Sequence, residues 1–288
     1  ARAAPAAPAA RAAPGRAGRC AVLLVELRKL VVRPRTWVTI ALLAGLPTLV
    51  AVFLKVTGVG PRPGQGPAFL AEVLSNGALF PAAALALVLP VFLPVAVSVV
   101  AGDAVAGEAS AGTLRYLLTR PVGRTRLLLV KLVVVIVFVF LAVLVVAGVA
   151  FAVGAWLFGV KPLPSVSGAT ITGPDAYFRT TVTVAYVAWS MLGVGAIALF
   201  ASTVTDSPLA AALGALAALV TSEVLDLLDA AAAVKPYLPT HYWLAFVDLF
   251  RTPILWRGVG RGFAIQGVYI AVFLGAAWAN FATKDVKS

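Results

Sequence analysis

The chain has 288 residues, of which 61% are hydrophobic and only 12% are charged, and its mean hydropathy is +1.01. Soluble domains are about half apolar and about a quarter charged, so this composition indicates a polytopic membrane protein. The single cysteine, Cys20, excludes an internal disulfide and any multi-cysteine metal site. The net charge of +12 is spread over short loops beside apolar runs, which favours anionic lipid headgroups over nucleic acid as its partner.

Two different segments precede the first long apolar run. Residues 1–18 are almost only Ala, Pro, Arg and Gly, which predicts a disordered tail; they lack the apolar stretch of a signal peptide. Residues 19–36 predict an amphipathic helix on the inner membrane surface, with Glu26, Arg28 and Lys29 set among Leu and Val. A surface anchor that contacts no partner is the alternative interpretation of this helix.

Six apolar runs predict an all-α protein with six transmembrane helices, at residues 37–54, 79–101, 127–151, 180–204, 209–228 and 263–281. The Lys and Arg residues divide as 15 on the side of both termini and 8 on the other side. Because positive charge favours the inner face, both termini are predicted to be cytoplasmic. Three prolines predict a kinked second span, and glycines in the fourth span predict close helix packing: Pro81, Pro90, Pro94, Gly193 and Gly195.

A charged segment, residues 102–126, separates the second and third spans. Asp103 and Glu108 lie in its first part, where negative charge suits a helix N-terminus, and Gly107 would allow another backbone to approach. Arginines are concentrated toward its end, at Arg115, Arg120, Arg124 and Arg126. The pattern predicts a short cytosolic helix that contacts another protein. An ordinary positively charged inside loop is the alternative.

This segment resembles the signature of ABC-2 type transporter permeases. The matching residues, in order, are Gly102-Asp103, Ala106-Gly107-Glu108, Gly112-Thr113-Leu114, Arg120-Pro121 and Arg124. The resemblance implies a coupling helix that contacts a separate ATPase subunit, with the helix at residues 19–36 as the connecting helix before the first span. The implied coupling residues are Asp103, Gly107, Glu108, Gly112, Thr113, Leu114, Arg115, Arg120, Pro121 and Arg124.

The resemblance also implies a cellular location, an oligomeric state and partner subunits. It implies a bacterial plasma-membrane permease that forms a homodimer and binds two ATPase subunits. ATP and Mg would be bound by those partners, and this chain would hold no cofactor. The sequence has no Gly-x-x-x-x-Gly-Lys-Ser/Thr phosphate loop, no His-x-x-x-His metal site and no evident nucleophile with a base, so it is not predicted to be an enzyme.

The predicted outer side carries a second candidate site. Glu223, Asp226 and Asp229 are spaced by three, which would place them on one helix stripe. Residues 229–262 predict one or two amphipathic helices, and Pro239 and His241 lie in a string similar to the external gate of ABC-2 permeases. These residues are predicted to line a translocation path or outer gate. A helix end in the headgroup layer, beside an aromatic belt without a moving part, is the alternative.

Three functions are compatible with the sequence. The first is an exporter of an amphipathic or hydrophobic cargo whose identity the sequence does not give. The second is an ABC-2 subunit that transmits mechanical force to an external partner protein. The third is an ion-coupled secondary transporter that uses Glu223; it needs no ATPase and leaves the segment at 102–126 unexplained.

Overall fold

The computed structural model describes residues 17–58, 77–112, 123–160, 163–164, 170–171 and 173–283. Within these ranges the chain forms eight α-helices and one two-residue antiparallel strand pair. The helices are α1 (Ala17–Val32), α2 (Pro34–Thr57), α3 (Phe80–Val88), α4 (Phe92–Ser110), α5 (Arg124–Phe158), α6 (Gly173–Val204), α7 (Pro208–Leu227) and α8 (Trp256–Thr283). The strands are β1 (Leu163–Pro164) and β2 (Thr170–Ile171).

Six of the described helices, α2 and α4 to α8, are long and apolar enough to cross a membrane. The predicted number of spans is therefore confirmed at the level of length and composition. Helices suit such apolar segments because every backbone polar group is bonded within the segment. Large apolar side chains such as Leu42, Leu49, Leu213 and Val220 remain exposed on α2 and α7, as expected for surfaces that face lipid.

Local chemistry sets several helix ends. Arg33 is extended because a proline follows it, and this residue separates α1 from α2. Pro34 then occupies the first turn of α2, and Gly58 closes that helix in the left-handed conformation with φ of 65°. At the start of α7, the side chain of Ser207 accepts a hydrogen bond from the backbone N–H of Ala210 at 3.3 Å.

The helices form a bundle with two distinguishable ends. The α1 end holds the start of α2, the end of α4 and the start of α5. The far end holds the segment 229–255, here named the capping segment, which lies between α7 and α8. Helix α6 is central and packs against α4, α5, α7 and α8.

The second apolar run is broken, as its prolines predict. The break spans residues 89–91 around Pro90 and separates α3 from α4. Beyond the break, α4 continues without interruption to Ser110, past the predicted span end at residue 101. The expected break at Gly102 is therefore wrong, because residues 102–110 continue α4 instead of forming a separate helix or loop. No helix-breaking proline lies between Pro94 and Ser110, and partner charges hold the acids of this stretch.

The helix type of one segment and the starts of two helices also differ from the sequence-based expectation. The described part of the capping segment contains three 3-10 helices, Asp229–Ala231, Lys235–Tyr237 and Ala245–Phe250, where α-helices were predicted. Helix α8 begins at Trp256 instead of residue 263, and α6 begins at Gly173 instead of residue 180. The early turns of both helices are rich in polar residues and glycine, which lowers their hydropathy without preventing helix formation.

Close packing of glycines is confirmed at several helix contacts. A Cβ atom on Gly193 would lie 2.0 Å from Oε1 of Gln266, and one on Gly195 would lie 2.9 Å from Cγ1 of Val135. On α5, a Cβ atom on Gly154 would lie 2.5 Å from the carbonyl oxygen of Gly77 and 2.7 Å from Cβ of Phe80. The atom nearest to the added Cβ of Gly154 is the backbone carbonyl oxygen of Gly77, which cannot rotate away as a side chain could.

We therefore expect Gly154→Ala to destabilise the protein by about 1–3 kcal/mol, the usual cost of overpacking. Gly148→Ala is the matched control on the same helix, because nothing lies within 4 Å of its added Cβ. The control should be neutral or slightly stabilising, since alanine favours helix over glycine by about 0.5–1 kcal/mol. Thermal unfolding of both variants in detergent would measure the difference. Equal melting temperatures would contradict the packing at Gly154.

Candidate functional site

Seven charged side chains meet at the α1 end and form what we call the ionic cluster: Glu26, Lys29, Arg33, Arg35, Asp103, Glu108 and Lys131. They come from α1, the α1–α2 junction, α4 and α5. The cluster therefore joins three segments that are distant in sequence. It has two halves, one centred on Lys131 and one on Asp103.

Lys131 is the centre of the first half. Its side chain is 6% exposed, and its Nζ donates to Oε2 of Glu26 at 2.7 Å and to Oε1 of Glu108. Lys29 also donates to Glu26, to Oε1 at 2.6 Å, and its Nζ lies 3.5 Å from Oε1 of Glu108. Two lysines and two glutamates thus connect α1, α4 and α5.

Asp103 is the centre of the second half. Its Oδ2 accepts a hydrogen bond from Nη1 of Arg33 at 2.7 Å and another from Nη2 of Arg35. Glycine at position 107 permits this arrangement, because a Cβ there would lie 2.5 Å from Oδ1 of Asp103. The junction between α1 and α2 is thereby attached to α4.

The charges of the cluster hold one another in the ionised form. Burial raises the pKa of the Glu26 carboxyl, but the hydrogen bonds and charges of Lys131 and Lys29 outweigh burial and hold that pKa below its ordinary value. Burial lowers the pKa of the Lys29 ammonium, yet Glu26 and Glu108 together raise it above its ordinary value. Both groups therefore remain charged around neutral pH.

The position of the two acids on α4 corrects the sequence-based expectation. Asp103 and Glu108 lie in the last turns of α4, not in the first turn of a helix. The helix dipole disfavours negative charge near the C-terminal end of a helix. The cations of α1, α2 and α5 therefore stabilise the carboxylates of Asp103 and Glu108. Glu108 is 9% exposed and faces Lys131 rather than solvent.

Other residues of the ABC-2-like segment have contacts within the chain. A Cβ on Gly102 would lie 2.9 Å from the backbone nitrogen of Ala212 on α7. The Ser202 hydroxyl of α6 donates to the carbonyl of Gly102 and accepts from the N–H groups of Val105 and Ala106. These contacts fix the end of α4 against both neighbouring helices.

The remainder of that segment is described in part. Ala111 and Gly112 are exposed at the tip of α4, and Gly112 adopts the left-handed conformation with φ of 67°. Arg124 begins α5 and donates from Nη1 to the carbonyl of Ala282 at 3.0 Å. Arg28 is exposed on α1. The other predicted coupling residues, Thr113, Leu114, Arg115, Arg120 and Pro121, lie outside the described residues, as do residues 1–16 of the predicted tail.

The far end brings together the second predicted set. His241 Nδ1 lies 2.5 Å from Oδ1 of Asp226, and the backbone carbonyl of Pro239 accepts a hydrogen bond from Gln266 at 2.6 Å. Glu223 is partly buried on α7. The predicted stripe of three acids is wrong for Asp229, because α7 ends at Leu227 and the Asp229 side chain is fully exposed in a 3-10 turn.

Buried polar groups that the sequence did not single out attach the capping segment. Arg179 of α6 is 7% exposed and donates from Nη1 to the carbonyls of Leu249 at 2.7 Å and Arg251 at 2.8 Å. Tyr186 donates to the carbonyl of Tyr242 at 2.5 Å. Arg179 directly precedes the fourth predicted span, so it was assigned to a loop and was missed.

Comparison with known protein families gives a match over most of the chain. Residues 50–286 match the sequence model of DUF2705, described as a protein of unknown function. The chain belongs to this family. The DUF2705 match includes Asp103, Glu108 and Lys131 but begins after Glu26 and Lys29, so the ionic cluster joins matched residues to the preceding helix α1. No curated protein matches the chain.

Proposed function

We propose that the chain is the membrane permease subunit of an ATP-binding-cassette exporter of the ABC-2 type, with ATP hydrolysis carried out by a separate ATPase subunit. Two copies of the chain and two ATPase subunits would form the transporter in a bacterial plasma membrane. The α1 end would face the cytoplasm, as the Lys and Arg distribution indicates. The cargo would be amphipathic or hydrophobic.

The observation that carries this proposal is the bridge from Lys131 to both Glu26 and Glu108. Through it, the helix α1 before the first span and the tip of α4 are attached to the start of α5. A force applied by a partner at α1 or at the α4–α5 connection would reach α2, α4 and α5 together. This arrangement supports the rigid-body movement by which an ATPase would tilt the spans.

The capping segment would then be the outer gate. Buried hydrogen bonds attach it to α6 and α8, and His241 attaches it to α7. A tilt of those helices would therefore be transmitted to it. Opening would separate these contacts and give the cargo a path outward.

A photo-crosslinking amino acid at the tip of α4 tests the proposal. We expect such a residue in place of Ala111, which is exposed, to capture a protein that carries the phosphate-loop motif and hydrolyses ATP. The matched control is the same amino acid in place of Leu255, which is exposed at the far end and should capture no ATPase. Mass spectrometry of the crosslinked products from intact cells would identify the partner.

Two results would contradict the proposal. One is capture of no ATPase from position 111, with the expressed protein intact in the membrane. The other is outward exposure of the α1 end. A cysteine at position 111 in a Cys20→Ala background should resist an impermeant thiol reagent added outside intact cells, and rapid labelling would place this end on the wrong side for an ATPase.

A further inference from the structure

A cavity of about 490 Å³ lies beside the ionic cluster and is lined by charged and apolar side chains. Its charges differ in accessibility. The carboxylates of Glu26, Glu108 and Asp103 are 11%, 11% and 17% exposed. The cations Lys29, Arg33 and Arg35 are 42%, 46% and 49% exposed. The polar surface that a ligand would reach in this cavity is therefore mainly cationic.

In the part of the chain that the structure describes, the two guanidiniums use little of their hydrogen-bonding capacity. Arg33 and Arg35 both donate to one oxygen, Oδ2 of Asp103. Each guanidinium has five N–H donors in a planar fork that fits phosphate and carboxylate. Among the described residues the cluster has four cations and three carboxylates, which leaves one positive charge in excess. An anion placed against the two arginines would be attracted by that charge.

The same cavity has an apolar wall formed by Val100, Val134 and Val135. Val100 lies about one turn before Asp103 on α4, and the two other valines lie about one turn after Lys131 on α5. Helix α4 runs toward the α1 end and α5 runs away from it. The valines therefore lie deeper in the bundle than the charges, next to the region that would lie within the bilayer.

We propose that this cavity binds an amphiphile with an anionic, phosphate-type headgroup. The headgroup would lie against Arg33 and Arg35, and the start of its hydrocarbon chain would pack against Val100 and Val134, which are only half-buried. A volume of about 490 Å³ falls within the range of about 300–1,000 Å³ that is usual for small-molecule sites. The inference deepens the proposed function by naming a ligand class for the ionic cluster, and it rests on that function only for the leaflet from which the amphiphile would enter.

Native mass spectrometry of the full chain, released from detergent and titrated with dioctanoylphosphatidylglycerol, tests the inference. We expect saturable binding of this lipid, weaker binding of dioctanoylphosphatidylcholine, and much weaker binding of glycerol 1-phosphate, which has the headgroup without the chains. Arg35→Gln should weaken phosphatidylglycerol binding about tenfold, the effect of losing one charge-assisted hydrogen bond. Arg257→Gln, the same change at an exposed position of the far end, should leave it unchanged.

Asp103→Asn separates a binding role from a structural one. The variant removes the carboxylate that competes for both arginines, so phosphatidylglycerol should bind more tightly by a similar factor. If the arginines served only to hold Asp103, this variant would bind no better than the parent. That result, or equal binding of glycerol 1-phosphate and phosphatidylglycerol, or equal effects of Arg35→Gln and Arg257→Gln, would overturn the inference.

The lipid-binding test and the crosslinking test of the proposed function can fail independently. Lipid binding is measured on the isolated chain and crosslinking on the chain in cells. Capture of an ATPase without selective lipid binding would contradict only the cavity inference. Selective lipid binding without capture of an ATPase would contradict only the proposed function.

Discussion

Lys131→Met should destabilise the protein by about 3–5 kcal/mol, the usual cost of removing one partner from a buried ion pair. Lys131 is 6% exposed and bridges Glu26 to Glu108, and methionine cannot compensate either carboxylate. Lys29 remains within reach of both glutamates, so the cluster would be weakened rather than reversed in charge. The free energy of unfolding in detergent, or the change in melting temperature, would measure this loss of stability.

A second substitution shows whether the charge is the cause. Adding Glu108→Gln to Lys131→Met removes the carboxylate that methionine leaves behind, so the double variant should recover part of the lost stability. Lys55→Met is the matched control. Lys55 is exposed, its Nζ lies 5.9 Å from the ring centre of Phe158, and the change there should cost no more than about 1 kcal/mol. Similar losses at Lys131 and Lys55 would show that the ionic cluster contributes little.

The spans were predictable because hydropathy and length are local properties. The apolar runs, the interruption near Pro90 and the close approaches at Gly193 and Gly195 all follow from residue type and spacing. The ends of the helices were less predictable. Turns rich in glycine and arginine at the start of α8 have low hydropathy, yet they form helix because the backbone bonds of α8 continue through them.

Four of the seven residues of the ionic cluster were predicted to be functional, but the side chains that they contact were not predicted. Sequence pattern singled out Glu26, Lys29, Asp103 and Glu108, but it assigned the acids of the 102–126 segment to a surface that faces another protein. Which side chain faces which depends on how α1, α4 and α5 pack, and no local pattern encodes that. Lys131 shows the limit most clearly. It lies within the third predicted span and was not named as a site residue, whereas the structure places it between the carboxylates of Glu26 and Glu108.

The contact between Glu108 and Lys131 affects the interpretation of substitutions at Glu108. Reversing the charge of Glu108 would place another cation beside Lys131 and Lys29, so a loss of activity in such a variant would report damage to the ionic cluster as well as loss of a partner contact. Exposed positions such as Ala111 avoid this problem, because a change there disturbs no described ion pair. A crosslinker at the exposed tip of α4 therefore reports a partner contact without removing a charge of the ionic cluster.

Arg179→Met should loosen the capping segment while leaving the α1 end intact. The Arg179 side chain is buried and supplies hydrogen bonds to the carbonyls of Leu249 and Arg251, and methionine would leave both carbonyls without that donor. An unsatisfied buried polar group costs about 1–3 kcal/mol. A loss of about 2 kcal/mol in the local opening free energy corresponds to about a 30-fold rise in exchange. Hydrogen–deuterium exchange of residues 237–250 would measure it.

Arg251→Met is the matched control at the same end of the bundle. Its side chain is 47% exposed and pairs with Asp248 at 2.8 Å, and an exposed pair of this kind contributes about 0–1 kcal/mol. The carbonyl of Arg251 that Arg179 binds belongs to the backbone and is unchanged in this control. Arg179→Lys should fall between the two, because its ammonium keeps the charge but is a compact donor on a differently shaped side chain. Equal exchange in Arg179→Met and Arg251→Met would show that the buried guanidinium does not hold the capping segment, and it would leave the Tyr186 hydrogen bond to Tyr242 as the remaining described hydrogen bond from α6 to the proposed outer gate.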